Sequence, residues 1–165
     1  ADDKGSLVLF SSRRQLNNVY EGLSSVWRER VICQGNYSKQ EVVRQHRKAV
    51  DEGEHSVIFG LASFAEGVDL PGDYCTHVVI AKIPFAVPDQ PVEAALSEWI
   101  ESRGGNPFMD ISVPDAAVKL VQASGRLLRT ETDRGKVTLL DRRIVSRRYG
   151  KAMLDSLPPF TRCLA

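Results

Sequence analysis

The sequence predicts a single-domain α/β protein built on a parallel β-sheet with helices on both faces. Short apolar runs recur at Leu7–Phe10, Val31–Cys33, Ser56–Ser63, His77–Ile83 and Lys136–Leu140, and such runs suit strands buried on both faces. Between them lie stretches of helical composition, the alternation that crossover connections between parallel strands require. The chain has 165 residues, 42% of them hydrophobic, enough to bury one sizeable core, so residues 1–165 are expected to form one domain.

Taken in order, Leu7-Val-Leu-Phe10 ends at Ser11-Ser12, where Ser12 with Gln15 reads as a capping box opening a helix to about Arg28. Val31–Cys33 forms a second strand and stops at Gln34-Gly35. Ser38 with Glu41 repeats the capping pattern and starts a polar helix to about Asp51. Strands over Ser56–Ser63 and His77–Ile83 bracket Phe64-Ala-Glu-Gly-Val-Asp-Leu-Pro-Gly72, punctuated by two glycines and a proline. Pro84–Pro91 holds three prolines and is excluded from regular helix. Val92–Arg103 is helical in composition and breaks at Gly104-Gly105-Asn-Pro107. Ser112 with Asp115 caps the next helix, with Pro114 tolerated in its first turn. A fifth strand at Lys136–Leu140 ends at Asp141-Arg-Arg143, and a last helix runs from about Ser146 to Ser156. There is no internal repeat and no low-complexity segment.

Charge and cysteine usage narrow the function classes. Lys+Arg 22 against Asp+Glu 21 leaves a net charge of +1, which favours no partner, although Arg126, Arg129, Arg134, Lys136, Arg142, Arg143, Arg147, Arg148 and Lys151 gather late in the chain. Cys33, Cys75 and Cys163 stand far apart with no CxxC pair, so neither a zinc knuckle nor a disulfide framework is expected, and no metal site is expected in this chain. Free thiols and the lack of a long apolar run fit a cytoplasmic protein that spans no membrane. Ala1-Asp-Asp-Lys-Gly5 reads as the cut end of a longer chain. No GxxxxGK[ST], GxSxG or HExxH occurs, and no GxGxxG follows a strand. His46, His55 and His77 are scattered and read as structural.

Ligands of an open parallel sheet bind at the carboxyl ends of strands, which directs attention to Ser11-Ser12, Ser63–Gly72 and Asp141–Arg143. In the second of these, Asp69 can accept a ribose hydroxyl, hold an arginine, or simply bond its own turn, and Glu66 is expected to be exposed. In Val118–Thr130, Gln122, Arg126 and Arg129 fall at i, i+4 and i+7 on one helical stripe, with Leu120, Ala123, Leu127 and Leu128 mostly on other faces. Two guanidinium forks on a rigid helix suit a phosphate, although a solvated amphipathic face would present the same residues. An arginine pair in a chain without a phosphate loop points to an arginine finger contributed across a domain interface.

These stretches carry a resemblance. Ala62-Ser-Phe-Ala-Glu-Gly-Val-Asp-Leu-Pro-Gly72 resembles motif V of superfamily 2 helicases, Gln122-Ala-Ser-Gly-Arg-Leu-Leu-Arg129 resembles motif VI, and Leu7-Val-Leu-Phe-Ser-Ser12 resembles motif IV. Glutamate before Gly67 and glutamine opening motif VI resemble the XPD/DinG iron–sulfur branch. The Gln34-Gly35 pair and Ile83-Pro-Phe-Ala-Val-Pro88 most resemble its bacterial DinG members. Motifs I, Ia, II and III and the cluster-ligating cysteines match nothing here.

The resemblance implies the second RecA-like motor domain (helicase domain 2) of an ATP-dependent 5′→3′ DNA helicase of DNA repair. It also implies that ATP and Mg2+ are shared with the first motor domain, and that a [4Fe–4S] cluster is held elsewhere in the full-length protein. Gln122, Arg126 and Arg129 would face ATP, with Arg126 as the finger, while Glu66, Gly67 and Asp69 would sense nucleotide and couple it to interdomain closure. Ser11, Ser12 and Ser63 would contact the backbone of single-stranded DNA, in keeping with a strand-to-helix turn as an anion site. Lys82 and Phe85, beside Pro84, would offer a charge and a stacking ring to the strand unless the phenylalanine is buried. The expected partners are single-stranded DNA and the first motor domain of the same polypeptide, the protein is expected to be a monomer, and the isolated chain is expected to lack ATPase activity. Two rivals remain open: a non-catalytic single-stranded nucleic-acid-binding module, and a non-helicase α/β nucleotide-binding protein.

Overall fold

A computed structural model describes residues 4–86, 91–125 and 134–164. Five strands, β1 (Gly5–Phe10), β2 (Val31–Cys33), β3 (Ser56–Leu61), β4 (His77–Ile80) and β5 (Lys136–Leu139), form one sheet in the order β2-β3-β1-β4-β5. Every neighbouring pair is parallel, as the apolar runs and intervening helices predict. β1 takes the centre, and Leu7 and Leu9 on it are buried with Ile58, Val78 and Ile80 of its neighbours.

Successive strand residues face opposite sides of a sheet, so each face needs its own cover. On one side Phe10, Val31, Cys33, Val57 and Phe59 form a core cluster with Leu16 of α1 (Arg13–Glu21). The Phe10 and Phe59 rings meet edge to face at 4.9 Å. On the other side α3 (Lys39–Asp51) buries Val42, His46 and Val50, one stripe at intervals of four residues. His46 Nδ1 lies 2.8 Å from the Ser56 hydroxyl on β3.

The chain falls into two compact units. One comprises Ala1–Lys82 with Gln122–Asp141 and contains the whole sheet; the other comprises Ile83–Val121 with Arg142–Ala165. In the second, α5 (Pro91–Ser102) buries none of its residues, while Phe85, Phe108 and Tyr149 form a ring cluster with centroids 5.2 to 5.7 Å apart.

Local chemistry shifts several predicted boundaries. The helix expected to reach Arg28 breaks at Gly22, whose N–H donates to Asn18 O while the Leu23 N–H donates to Tyr20 O. Leu23 packs against the core cluster there, and α2 (Ser25–Arg30) restarts behind Ser24. β3 stops at Leu61 and not Ser63, because Ala62–Ala65 coil into a short helix, α4. β4 likewise stops at Ile80.

The cap expected at Ser112 belongs instead to Asn106, whose Oδ1 accepts from Phe108 N and Met109 N. The Asp110 carboxylate in turn accepts from Asn106 N at 2.9 Å. A π-helical turn over Phe108–Ser112 then runs into α6 (Val113–Ser124), and Asp115 pairs with Lys119 at 2.8 Å. The final helix is split at Arg147, which is extended between α7 (Arg143–Ser146) and α8 (Arg148–Ser156). Gly150 passes so close to Ile144 that a Cβ would sit 1.9 Å from its carbonyl oxygen.

Candidate functional site

The site begins where strands end. β1 and β3 pair in register as far as Phe10 and Leu61, so Ser11 and Ala62 leave the sheet from adjoining strands at its carboxyl edge. The chain departs β1 toward β2 and departs β3 toward β4, which lie on opposite sides of this pair. Such a reversal opens the crevice in which parallel α/β sheets bind ligands.

Ser11 and Ser12 form the β1 side. Ser12 Oγ accepts the Gln15 N–H at 3.2 Å and so caps α1. Gln15 Oε1 reaches past Ser12 to the Ser11 N–H and hydroxyl, at 3.3 and 3.0 Å. Both serines are exposed. They present hydroxyls at the amino end of a helix, where the helix dipole favours an anion.

The β3 side is built around a turn. Leu61 N–H is taken by the Gln34 carboxamide at 2.8 Å, which halts the strand and starts α4. Phe64 folds back onto β3, and the space it fills is open because residue 60 is glycine; a Cβ there would lie 3.0 Å from the Phe64 ring. Ser63 on α4 is exposed. Glu66 has φ −66 and ψ 122, Gly67 has φ 74, and Val68 N donates to Ala65 O at 3.4 Å. These are the features of a type II turn, whose third position requires a positive φ and therefore favours glycine. Val68 and Leu70 are buried at 3% exposure, so the turn is anchored while Glu66, Gly67 and Asp69 stay exposed.

Helix α3 holds this segment from outside. Lys39 Nζ donates to Glu66 O and lies 5.4 Å above the Phe64 ring. Arg47 Nη2 donates to Asp69 O at 2.6 Å, with its guanidinium 5.2 Å from the Tyr74 ring. His46 Nε2 lies 2.7 Å from Tyr74 O, an arrangement that needs Nε2–H as donor and leaves Nδ1 to accept from Ser56. Burial pushes the His46 pKa below its ordinary value, against the opposing pull of the Tyr74 carbonyl. The Tyr74 hydroxyl donates to Asp51 Oδ1 at 2.8 Å. Sequence reasoning missed Lys39, Arg47 and Gln34 because the atoms they hold are backbone atoms 22 to 27 residues away.

The other predicted residues fall in different places. Gln122 is exposed near the end of α6, while Leu120, Ala123 and Ser124 beside it are buried. Arg126 and Arg129 lie outside the described residues. Lys82 is exposed just beyond β4. Phe85 is half-buried in the ring cluster with the Arg143 guanidinium 5.3 Å from its centroid. Cys33 and Cys75 are buried and Cys163 is exposed, and burial raises the Cys33 pKa, which keeps it a protonated thiol. Among the described residues no group of three His, Cys, Asp or Glu could hold a metal ion, so these residues do not fit an iron–sulfur cluster. No described helix is long and apolar enough to cross a membrane.

A parallel five-stranded sheet, covered on both faces and carrying its polar loops at the carboxyl edge, defines a RecA-like α/β domain. Residues 1–160 match the family model of the helicase C-terminal domain, and the chain belongs to that family. It is 52% identical over 165 residues to the ATP-dependent DNA helicase DinG of Photobacterium profundum, covering 98% of this chain and 24% of that protein. It is 41% identical over 156 residues to the protein of the same name from Escherichia coli, covering 94% of this chain and 22% of that one. Among solved structures an apo form of XPD superposes with a TM-score of 0.70 at 24% identity, over 92% of this chain and 31% of that one. The chain therefore spans about a quarter of the length of the curated relatives it matches.

Proposed function

We propose that this chain is the second motor domain of an ATP-dependent DNA helicase that moves 5′ to 3′ on single strands. The observation that carries the reading is the 52% identity, across 98% of the chain, to a protein named as an ATP-dependent DNA helicase. The type II turn at Glu66-Gly67 and the paired serines at the carboxyl edge of the sheet support it, because they set fixed polar groups where such a sheet meets its ligands.

In this reading ATP and Mg2+ are bound mainly by the first motor domain. Arg126 acts as the finger that neutralises charge on the transferring phosphoryl group, Arg129 assists it, and Gln122 orders water or the terminal phosphate. Ser11, Ser12 and Ser63 hold DNA phosphates, and Lys82 adds charge along the strand, while the engaged ring of Phe85 leaves it a smaller part. A [4Fe–4S] cluster belongs to polypeptide outside this chain. The protein works as a cytoplasmic monomer in DNA repair.

An arginine finger is worth about 10³-fold or more in phosphoryl transfer and acts only when two domains close on the nucleotide. Arg126→Ala in the full-length protein is expected to reduce DNA-stimulated ATP turnover by about that factor with an unchanged melting temperature. Near-normal turnover by that variant would overturn the assignment. The isolated chain, having no phosphate loop, is expected to hydrolyse no ATP.

A further inference from the structure

One face of α3 is committed to the turn after β3. Lys39, Arg47 and Asp51 recur at intervals of eight and four residues, which places them on one stripe with His46 beside it. Three of these four side chains bond backbone carbonyls, of Glu66, Asp69 and Tyr74. Two carry a full positive charge and also lie over an aromatic ring of the segment they hold. The central peptide of the turn and Asp69 just beyond it are thereby gripped by cations from α3, the helix that leads into β3.

The central peptide of a β-turn is its movable part, since types I and II differ chiefly by a flip of that one plane. Here the plane joins Glu66 to Gly67, and glycine opposes neither orientation sterically. The Lys39 ammonium donating to Glu66 O selects one of them. The peptide is trans, so the Gly67 N–H points the opposite way, away from α3. Arg47, fixing Asp69 O, stops the far end of the turn from following a flip. Both contacts act on the backbone from which the exposed carboxylates of Glu66 and Asp69 project.

We propose that Lys39 and Arg47 are positioning residues that clamp the Glu66–Asp69 turn and so link nucleotide state to movement along DNA. This rests on the motor-domain reading above. Neither residue is a catalytic group, and their loss is expected to separate ATP turnover from unwinding.

The test uses the full-length protein carrying Lys39→Met or Arg47→Met, with Lys39→Arg and Arg47→Lys as the conservative pair. Hydrogen exchange over residues 62–72 is expected to quicken by about fivefold in the methionine variants. Duplex opened per ATP consumed is expected to fall about tenfold while DNA-stimulated turnover changes far less. Lys39→Arg, which keeps a cationic donor, is expected to restore most of the unwinding. Lys39→Gln, which keeps a neutral donor, serves the same comparison if the methionine variant is unstable. Unchanged exchange overturns the clamp. Unwinding and turnover falling in equal proportion overturn its coupling role. A wild-type protein that neither hydrolyses ATP nor unwinds DNA overturns the motor-domain reading instead, and the exchange measurement still decides the clamp.

Discussion

The loops that follow β1 and β3 start side by side and are secured in opposite ways. At Ser11–Gln15 both serines are held by bonds that span three or four residues, and one longer tie runs from Arg13 Nη1 to Gln34 O. The segment from Phe64 to Tyr74 has local bonds at Val68 N to Ala65 O and Tyr74 N to Pro71 O, and α3 adds ties to it over separations of 22 to 28 residues. A local cap forms as soon as its helix does. A loop held from a distance keeps its shape only while helix and sheet are packed together, so it is the one able to report a change elsewhere.

The sharpest way to break this contrast is at His46, the buried tie on the β3 side. His46→Leu keeps the volume but leaves the Ser56 hydroxyl and the Tyr74 carbonyl unpaired in the core, at a cost of about 3 kcal/mol. Chemical denaturation measures it. A loss no larger than that of an exposed cap would mean the distant ties matter little.

Next in size is Gly67→Ala, which places a Cβ at φ 74 and is expected to cost about 1–2 kcal/mol. Gly53→Ala is the matched control, having φ 82 and open space around it. The two should lose similar stability, but only the Gly67 variant should quicken hydrogen exchange in residues 62–72. Equal exchange in both would show that the turn is not gripped. Ser12→Ala removes the cap of α1 and is expected to cost about 1 kcal/mol, with the loss confined to exchange of the first turn of that helix.

The same contrast explains what could be read in advance. Ser12 with Gln15 and Ser38 with Glu41 are short-range patterns, and both serines accept the N–H that their spacing predicts. The apolar runs and the polar stretches between them were sufficient for the parallel sheet. What was illegible depends on distant partners. Ala62-Ser63 continues an apolar run and reads as strand, yet the Gln34 carboxamide claims Leu61 N–H and ends it. Ser112 has the right spacing to Asp115 for a cap, but Asn106 opens the helical turns six residues earlier with Asp110 as its partner. Lys39 and Arg47 look like the solvated face of a polar helix. Nothing in their spacing names Glu66 O or Asp69 O as acceptors.

The smallest expected effect is also the most specific to the distant system. His46 is wholly buried, and its pKa is lowered from 6.5, first by burial and then by the nearby charges of His55 and Arg47, with only the Tyr74 carbonyl acting the other way. Below about 6.5 the unfolded chain therefore binds a proton that the folded chain refuses, and linkage makes stability fall as pH falls. Above that value both states are neutral at this site and the contribution is constant. Between pH 7 and pH 6 the loss is expected to stay under about 1 kcal/mol, because a single proton is involved and its uptake by the unfolded chain is only part complete at 6. Other groups add their own slopes, so the discriminating measurement is the difference between the wild type and His46→Leu over the same range. That difference should shrink on acidification, since the leucine variant has no proton to refuse. A difference independent of pH would mean that folded His46 accepts the proton, and that the tie from α3 to Tyr74 survives in the charged form.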